Sequence, residues 1–333
     1  MIRIVTDSTS DLSADRAAAL GVEVLPLSVH FGEESFQDGV DITKEEFYAR
    51  LEQAETLPTT AQIPPETFIK TFERLTAQGD QVLGIFLSSA MSGTYQSAMI
   101  ARDIVGEERI AVVDSQTVTF ALGLLVEAAC LLRDQGLSLE ELRAQVEALA
   151  GRVRLLAVVD TLKYLKMGGR ISGAAAVVGG LLGISPIISI RDGLVVSVGK
   201  GRGRKAGFQF ISKWIEEKEG IDTSLPVSFG NTNAPQALAD CMAFFADKTT
   251  GAKMCIRDSR LGGDGGQGST LYPHIQSENE DRVQHDVGHR TDEHRSHGNG
   301  GKSLGCDEEI KAHGQLHKNS APQINGQIVV GKG

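Results

Sequence analysis

The sequence predicts an α/β protein with a mainly parallel N-terminal sheet and a second, smaller α+β domain, and three observations carry that expectation. Up to about residue 160, short β-branched runs alternate with amphipathic helical stretches, as they do where helices cross over a parallel sheet. The run Val82–Leu87 is apolar almost throughout, the pattern of a strand covered on both faces. Beyond Asp160 the order becomes hairpin, helix, strand, helix.

Each element follows from local signals. Ile2–Val5 reads as the first strand, and Leu12–Leu20 as a helix stopped by Gly21. Val22–Phe31 reads as one second strand. Thr43 with Glu46, and Ser138 with Glu141, match the capping box that satisfies free amides at a helix start. Phe68, Phe72 and Leu75 fall on one helical face ahead of the Val82–Leu87 strand. Ile110–Val113 and Leu155–Val159 repeat the strand pattern, with helices over Thr117–Arg133 and Leu139–Val153 between them. After Asp160, Ile187–Ile190 and Leu194–Val198 flank Asp192-Gly193, a pair suited to the positive backbone angles of a two-residue hairpin turn. Helices around Phe208–Glu217 and Pro235–Ala246 enclose a strand at Val227–Phe229.

Composition narrows the function classes. The chain has 333 residues, 41% hydrophobic and 23% charged, with a formal net charge of -10. That balance argues against broad attraction to nucleic acid or anionic lipid surfaces and favours a small, specific ligand. Cys130, Cys241, Cys255 and Cys306 are widely spaced without CxxC, so they read as reduced, buried thiols and not as a zinc site or disulfide framework. The N-terminus MIRIVTDSTSDLS has no basic region followed by a long apolar core, which leads to the expectation of a cytoplasmic protein. Ile171–Ile190 is uncharged over nearly the length of a membrane span, but Gly179, Gly180, Gly183 and Pro186 divide it into a short helix, a turn and a strand. No stable membrane insertion is expected.

Near Met254 the sequence changes character. Seven of the eight histidines and fourteen of the thirty-eight glycines lie from Met254 onward, and periodicity is almost absent until QIVVG near the end. Residues 254–333 read as a polar Gly/His-rich tail, disordered or artefactual, with a frameshift or chimeric join at about Lys253. His285 and His289 have i, i+4 spacing, but no helical pattern supports a metal site there.

The candidate chemistry lies where strands end, because open α/β sheets bind ligands at the carboxyl ends of their strands. Three hydroxyl-rich stretches sit there: Thr6-Asp7-Ser8-Thr9-Ser10, the PTTAQ segment from Pro58 to Gln62, and LSSAMSGTYQSA from Leu87 to Ala98. Ser92-Gly93-Thr94 marks a helix start, whose hydroxyls and free amides suit an anion; the competing reading is that Ser92 only caps its helix. A nucleophilic serine is disfavoured, since the segment is not GxSxG and His30 lies in a strand. Asp7 and Asp114 end strands, where acid or metal-ligand roles compete with the commoner role of forming turns. GxxxxGK[ST] is absent, and no GxGxxG follows a strand pattern and opens a helix. The run Gly199–Lys205, GKGRGRK, is the one dense basic patch and reads as a solvated loop, with an acidic partner or a phosphate as its functional alternative. Ala174–Ile188 supplies small and branched apolar residues, enough to line a slot or to pack a core. An anion cradle beside an apolar slot describes an amphiphile site.

Taken together, IVTDSTSDL, DGVDIT, PTTAQ, SSAMSGTYQSA, VVDS, TLKYLKMGGRIS and GISPIISI, in this order over roughly Met1–Lys248, resemble the DegV family of bacterial fatty-acid-binding proteins. The resemblance implies a Rossmann-like α/β domain over 1–160 and a truncated α+β domain over 161–253, enclosing a long-chain fatty acid between them. It implies a carboxylate held by Thr60 and Ser92, with Thr59, Gly93 and Thr94 as the supporting loop. It further implies no catalytic residue, metal or cofactor: the protein would present its acyl chain to a separate ATP-dependent fatty acid kinase, with Arg170 and Arg202 as kinase-facing candidates. Two departures stand out. Ile184-Ser185-Pro186 replaces the IKP common in the family, and the family's glycine-rich GTHTGPGA-like ending, with its histidine, is not found. The rival reading is a phosphate-handling transferase or hydrolase using Asp7 and the Ser92 loop. A DNA-binding regulator using Gly199–Lys205 conflicts with the acidic balance.

Overall fold

The computed structural model describes residues 1–172, 183–218, 220–222 and 226–252, and the backbone of 254–258 and 327–328. The described elements all belong to one compact unit, residues 1–263 with 322–333.

The first sheet is parallel throughout. Its strands β1 (Ile2–Asp7), β2 (Val22–Leu25), β6 (Gln81–Phe86) and β7 (Ile110–Asp114) lie in the order β2-β1-β6-β7. Alternation explains why β6 and β7 read as nearly continuously apolar. Ile4, Leu83, Ile85, Ala111 and Val113 face one core, while Val5, Val82, Phe86, Ile110 and Val112 face another. Helices α5 (Phe120–Arg133) and α6 (Leu139–Ala150) cover the first face. Helices α3 (Pro65–Thr76) and α4 (Thr94–Val105) cover the second, with Phe68, Phe72 and Leu75 of α3 buried as their spacing predicts.

Local signals place the helix ends well. Ser13 accepts from Arg16 N–H to cap α1 (Ala14–Leu20), which ends at Gly21 with φ 63°. Thr43 accepts the Glu46 N–H at the start of α2 (Lys44–Gln53), and Ser138 with Glu141 forms the full capping box of α6. Helix α5 begins at Phe120 and not at Thr117, because Gln116 (φ 50°) and Thr119 (φ 58°) hold left-handed conformations that a helix excludes.

Two strand expectations are corrected. Val22–Phe31 is two strands: after β2 the chain passes Pro26, which has no N–H to continue the ladder, and β3 (Ser28–Phe31) joins a separate antiparallel sheet. In that sheet β3 lies between β4 (Glu34–Gln37) and β5 (Thr59–Ala61). Second, β8 (Leu155–Val158) does not extend the parallel sheet. It pairs antiparallel with β9 (Ile184–Arg191) in the sheet β10-β9-β8-β13, where β10 is Leu194–Arg202 and β13 is Gln327–Ile328. The reason is visible in its packing. Leu155 and Ala157 join the core under α5 and α6, while Leu156 and Val158 join one beneath α8 (Gly203–Glu216), so an apolar run specifies two buried faces but not the neighbouring strand.

The expected hairpin forms between β9 and β10, with Asp192 at φ 50° and Gly193 at φ 73°. The Gly199–Lys205 run is not a loop but the end of β10 and the first turn of α8. An added Cβ would lie 2.4 Å from the Phe210 ring at Gly199, 2.6 Å from the Gly207 backbone nitrogen at Gly201, and 2.7 Å from Val158 at Gly207. Gly199 and Gly201 let the helix fold back onto its own strand, and Gly207 lets it approach β8.

Beyond α8, β11 (Val227–Asn231) is followed by α9 (Pro235–Phe245) and then β12 (Met254–Asp258), which lies parallel to β11. The first five residues of the expected tail therefore form a strand, because a sheet neighbour supplies hydrogen bonds regardless of side-chain pattern. The short helix expected after Ile171, most of the Ala174–Ile188 slot, and His285 with His289 lie outside the described residues. Among those described, no helix is long and apolar enough to cross a membrane.

Candidate functional site

The three hydroxyl-rich stretches meet the carboxyl edge of the parallel sheet, and the stretch after β6 is held from several sides. Leu87 N–H donates to Asp7 Oδ2 at 2.8 Å. Ser88 N–H donates to the Thr117 carbonyl at 2.8 Å, and its hydroxyl donates to the Gly193 carbonyl at 2.7 Å while accepting from Ala90 N–H. Ser89 donates through its N–H and hydroxyl to the two oxygens of Asp114, which also accepts from Gln116 N–H. Arg170 Nε donates to the Met91 carbonyl at 3.3 Å. One seven-residue loop is thus fixed by β1, by the segment after β7, by the hairpin tip and by the segment before β9.

The PTTAQ segment reaches the same loop. Thr59 and Thr60 lie in β5, opposite His30 and Val29, and both are exposed. Two residues on, Gln62 packs against Gly93 so closely that a Cβ there would sit 1.9 Å from Gln62 Oε1. Gln62 Nε2 donates to Ser97 Oγ at 3.1 Å, and Ile63 N–H to Thr94 Oγ1 at 3.4 Å. Gln62 is therefore a positioning residue that the hydroxyl pattern did not single out, although it stands inside the motif.

Ser92 is half-buried; its Oγ accepts from Thr94 N–H at 3.2 Å and lies 3.0 Å from Thr94 Oγ1. That satisfies one amide at the start of α4, in keeping with the capping role, while Gly93 at the N-cap has no side-chain cap. Thr94 is fully buried.

The acids divide by environment. Asp7 is fully buried and accepts from Thr9 N–H and the Thr9 hydroxyl on Oδ1 and from Leu87 on Oδ2. Burial pushes its pKa from 3.8 to about 6 despite those hydrogen bonds. Burial also raises Asp38, against a Ser8 hydroxyl that favours its ionised form. Asp114 is spent on its turn and on Ser89. Burial lifts the Cys130 thiol to about 11 and raises Cys241 as well, so both are protonated packing groups. Among the described residues no cluster of His, Cys, Asp and Glu is arranged to hold a metal. Arg202 is exposed at the N-cap of α8, and Arg170 is exposed beside Met91. A cleft of about 760 Å³ is lined by Thr117 and Gly193 behind the loop and another of about 640 Å³ opens near Leu20 and Gly136; neither is lined by Thr60 or Ser92.

Residues 1–260 match the model of the DegV family of uncharacterised proteins. A DegV domain-containing protein of Caldanaerobacter subterraneus subsp. tengcongensis is 42% identical over 221 residues, 66% of this chain and 78% of the relative. Among solved structures, a fatty-acid-binding DegV family protein from Thermus thermophilus superposes with a TM-score of 0.68 at 32% identity, over 79% of this chain and 96% of that one. A stearic acid-binding protein from Eubacterium ventriosum gives a TM-score of 0.66 at 31% identity, over 75% and 89% of the two chains.

Proposed function

This chain belongs to the DegV family, and we propose that it binds a long-chain fatty acid whose carboxylate is held by the hydroxyls of Thr60 and Ser92. The observation that carries the reading is the packing of Gln62 on Gly93, which brings the PTTAQ strand against the start of α4, where both hydroxyl motifs serve one anion. Thr59, Gly93 and Thr94 form the supporting loop. The acyl chain lies between a domain of residues 1–160 and one of 161–253. A chain of about sixteen carbons gains roughly 0.8 kcal/mol per buried methylene, so the tail dominates affinity and the hydroxyls orient the headgroup.

In this reading the protein is a non-catalytic carrier without cofactor or metal, working in the cytoplasm. It presents the acyl carboxylate to a separate fatty acid kinase, with the exposed Arg170 and Arg202 on the surface that meets it. The transferase or hydrolase alternative needs Asp7 as a free acid or metal ligand. Asp7 has no exposed surface and both its oxygens accept hydrogen bonds, which favours the carrier.

The test is lipid extraction and mass spectrometry of the purified protein beside a Thr60→Ala, Ser92→Ala double variant. The wild type should carry fatty acid near one per chain and the double variant at least tenfold less. The variant should remain folded, since the loss of one cap-like hydrogen bond costs about 1 kcal/mol. Equal retention in a folded variant removes the two hydroxyls from the carboxylate role.

A further inference from the structure

We infer that Asp7 is the positioning residue of the ligand loop: its carboxylate ties the turn after β1 to the chain leaving β6, so the placement of Ser92, and with it ligand retention, follows the charge on Asp7. The ligand part of this inference rests on the lipid reading above.

The geometry is that of a two-sided tether. Oδ2 accepts the Leu87 N–H at 2.8 Å, the first residue beyond β6; Oδ1 accepts the Thr9 N–H at 3.0 Å and the Thr9 hydroxyl at 2.5 Å. Four residues separate Leu87 from Ser92, and both strands bearing the tether are buried. Among the described residues no lysine or arginine pairs with Asp7. Asp11, in the same turn, is the charged group acting on it, and Asp11 is itself paired with Lys44 at 3.0 Å. The neighbouring strands bring Leu25 opposite Asp7 and Ile85 opposite Thr6, neither of which titrates.

A neutral amide here would avoid the cost of burying a charge, but it offers one accepting oxygen where this site uses two. Protonation has the same effect. With one oxygen converted to O–H, either Leu87 N–H or Thr9 N–H loses its acceptor, and one side of the tether loosens. Burial places this transition at about pH 6.

The sign separates positioning from mere stability. The raised pKa means that the fold favours the protonated acid, so from this group stability is present at low pH and is lost as pH rises from about 4 through about 6. Acidification through pH 6 therefore strengthens the fold while it weakens the loop.

The experiment follows stearate dissociation and thermal unfolding of the full chain from pH 8 to 5, in wild type, Asp7→Asn and Thr9→Ala. Wild type should release stearate about fivefold faster at pH 5 than at pH 7.5, the ratio expected when a charge-assisted hydrogen bond becomes a neutral one. Asp7→Asn should release at the faster rate with no step near pH 6. Thr9→Ala removes a hydroxyl that favours the ionised form and should move the step to higher pH, which serves as the test if Asp7→Asn does not fold. A step unchanged in either folded variant overturns the inference. If wild type holds no stearate at any pH, the lipid reading fails on its own terms. Hydrogen exchange at the Leu87 amide then decides the tether: loss of protection below pH 6 in wild type supports it, and constant protection overturns it.

Discussion

The loop from Leu87 to Gly93 and the strand-helix junction from Gly199 to Gly207 are both rich in small residues, and they solve opposite problems. In the loop the small residues are serines, and their polar atoms are consumed by hydrogen bonds from distant elements: Ser88 to Gly193 and Thr117, Ser89 to Asp114, Leu87 to Asp7. At the junction they are glycines, consumed by the close approach of α8 to its strand and to Val158. The basic side chains there, Lys200, Arg202 and Arg204, stay exposed, and Arg204 lies 3.6 Å from Asp240. Hydrogen-bond density fixes where a loop is; absent side chains fix how close two elements come. Only the first arrangement positions chemistry, which is why the candidate site lies there and not at the basic run.

Substitutions sharpen that contrast. The largest effect is expected for Gly201→Ala, whose Cβ would stand 2.6 Å from Gly207 N and 2.9 Å from the Ala206 carbonyl carbon, backbone that cannot swing aside. It should cost about 2–3 kcal/mol in urea unfolding; a loss under about 0.5 kcal/mol would mean that the helix has room to withdraw. Next comes Ser88→Ala, which leaves the Gly193 carbonyl without its 2.7 Å partner and Ala90 N–H without an acceptor. A loss of about 1–2 kcal/mol is expected, together with faster fatty acid release, because the hairpin tip no longer braces the loop. Unchanged release at reduced stability would confine Ser88 to packing. Smallest is Arg143→Ala, which removes two helical ion pairs with Glu140 and Glu147 on an exposed face. Less than about 0.5 kcal/mol should change in the same unfolding curve.

How far the sequence reached depended on the range of the determining interaction. The Ser138 capping box, the Gly21 stop and the Asp192-Gly193 turn were legible because each is settled within a few residues. The stretches after β1 and β6 were legible as hydroxyl-rich strand ends, whereas PTTAQ, expected as a third such loop, is itself strand β5 of the antiparallel sheet, because its ladder partner β3 lies far away in sequence. Their mutual arrangement was not legible, since Gln62 meets Gly93 across 31 residues of chain and Ser88 meets Gly193 across 105. Asp7 read as a turn former, and it is one through Thr9; its bond to Leu87 spans 80 residues and leaves no local trace.

The sequence by itself determined the alternation of elements, the helix caps, the hairpin and the doubly buried character of β6, β7 and β8, since backbone propensity and the two-residue period of a strand are local properties. Only the tertiary structure decided that β8 leaves the parallel sheet, that Pro26 sends β3 to a third sheet, and that five separate parts of the chain converge on one serine loop. Sheet partnership and loop convergence depend on which buried faces meet, and many strands present equally apolar faces to choose among.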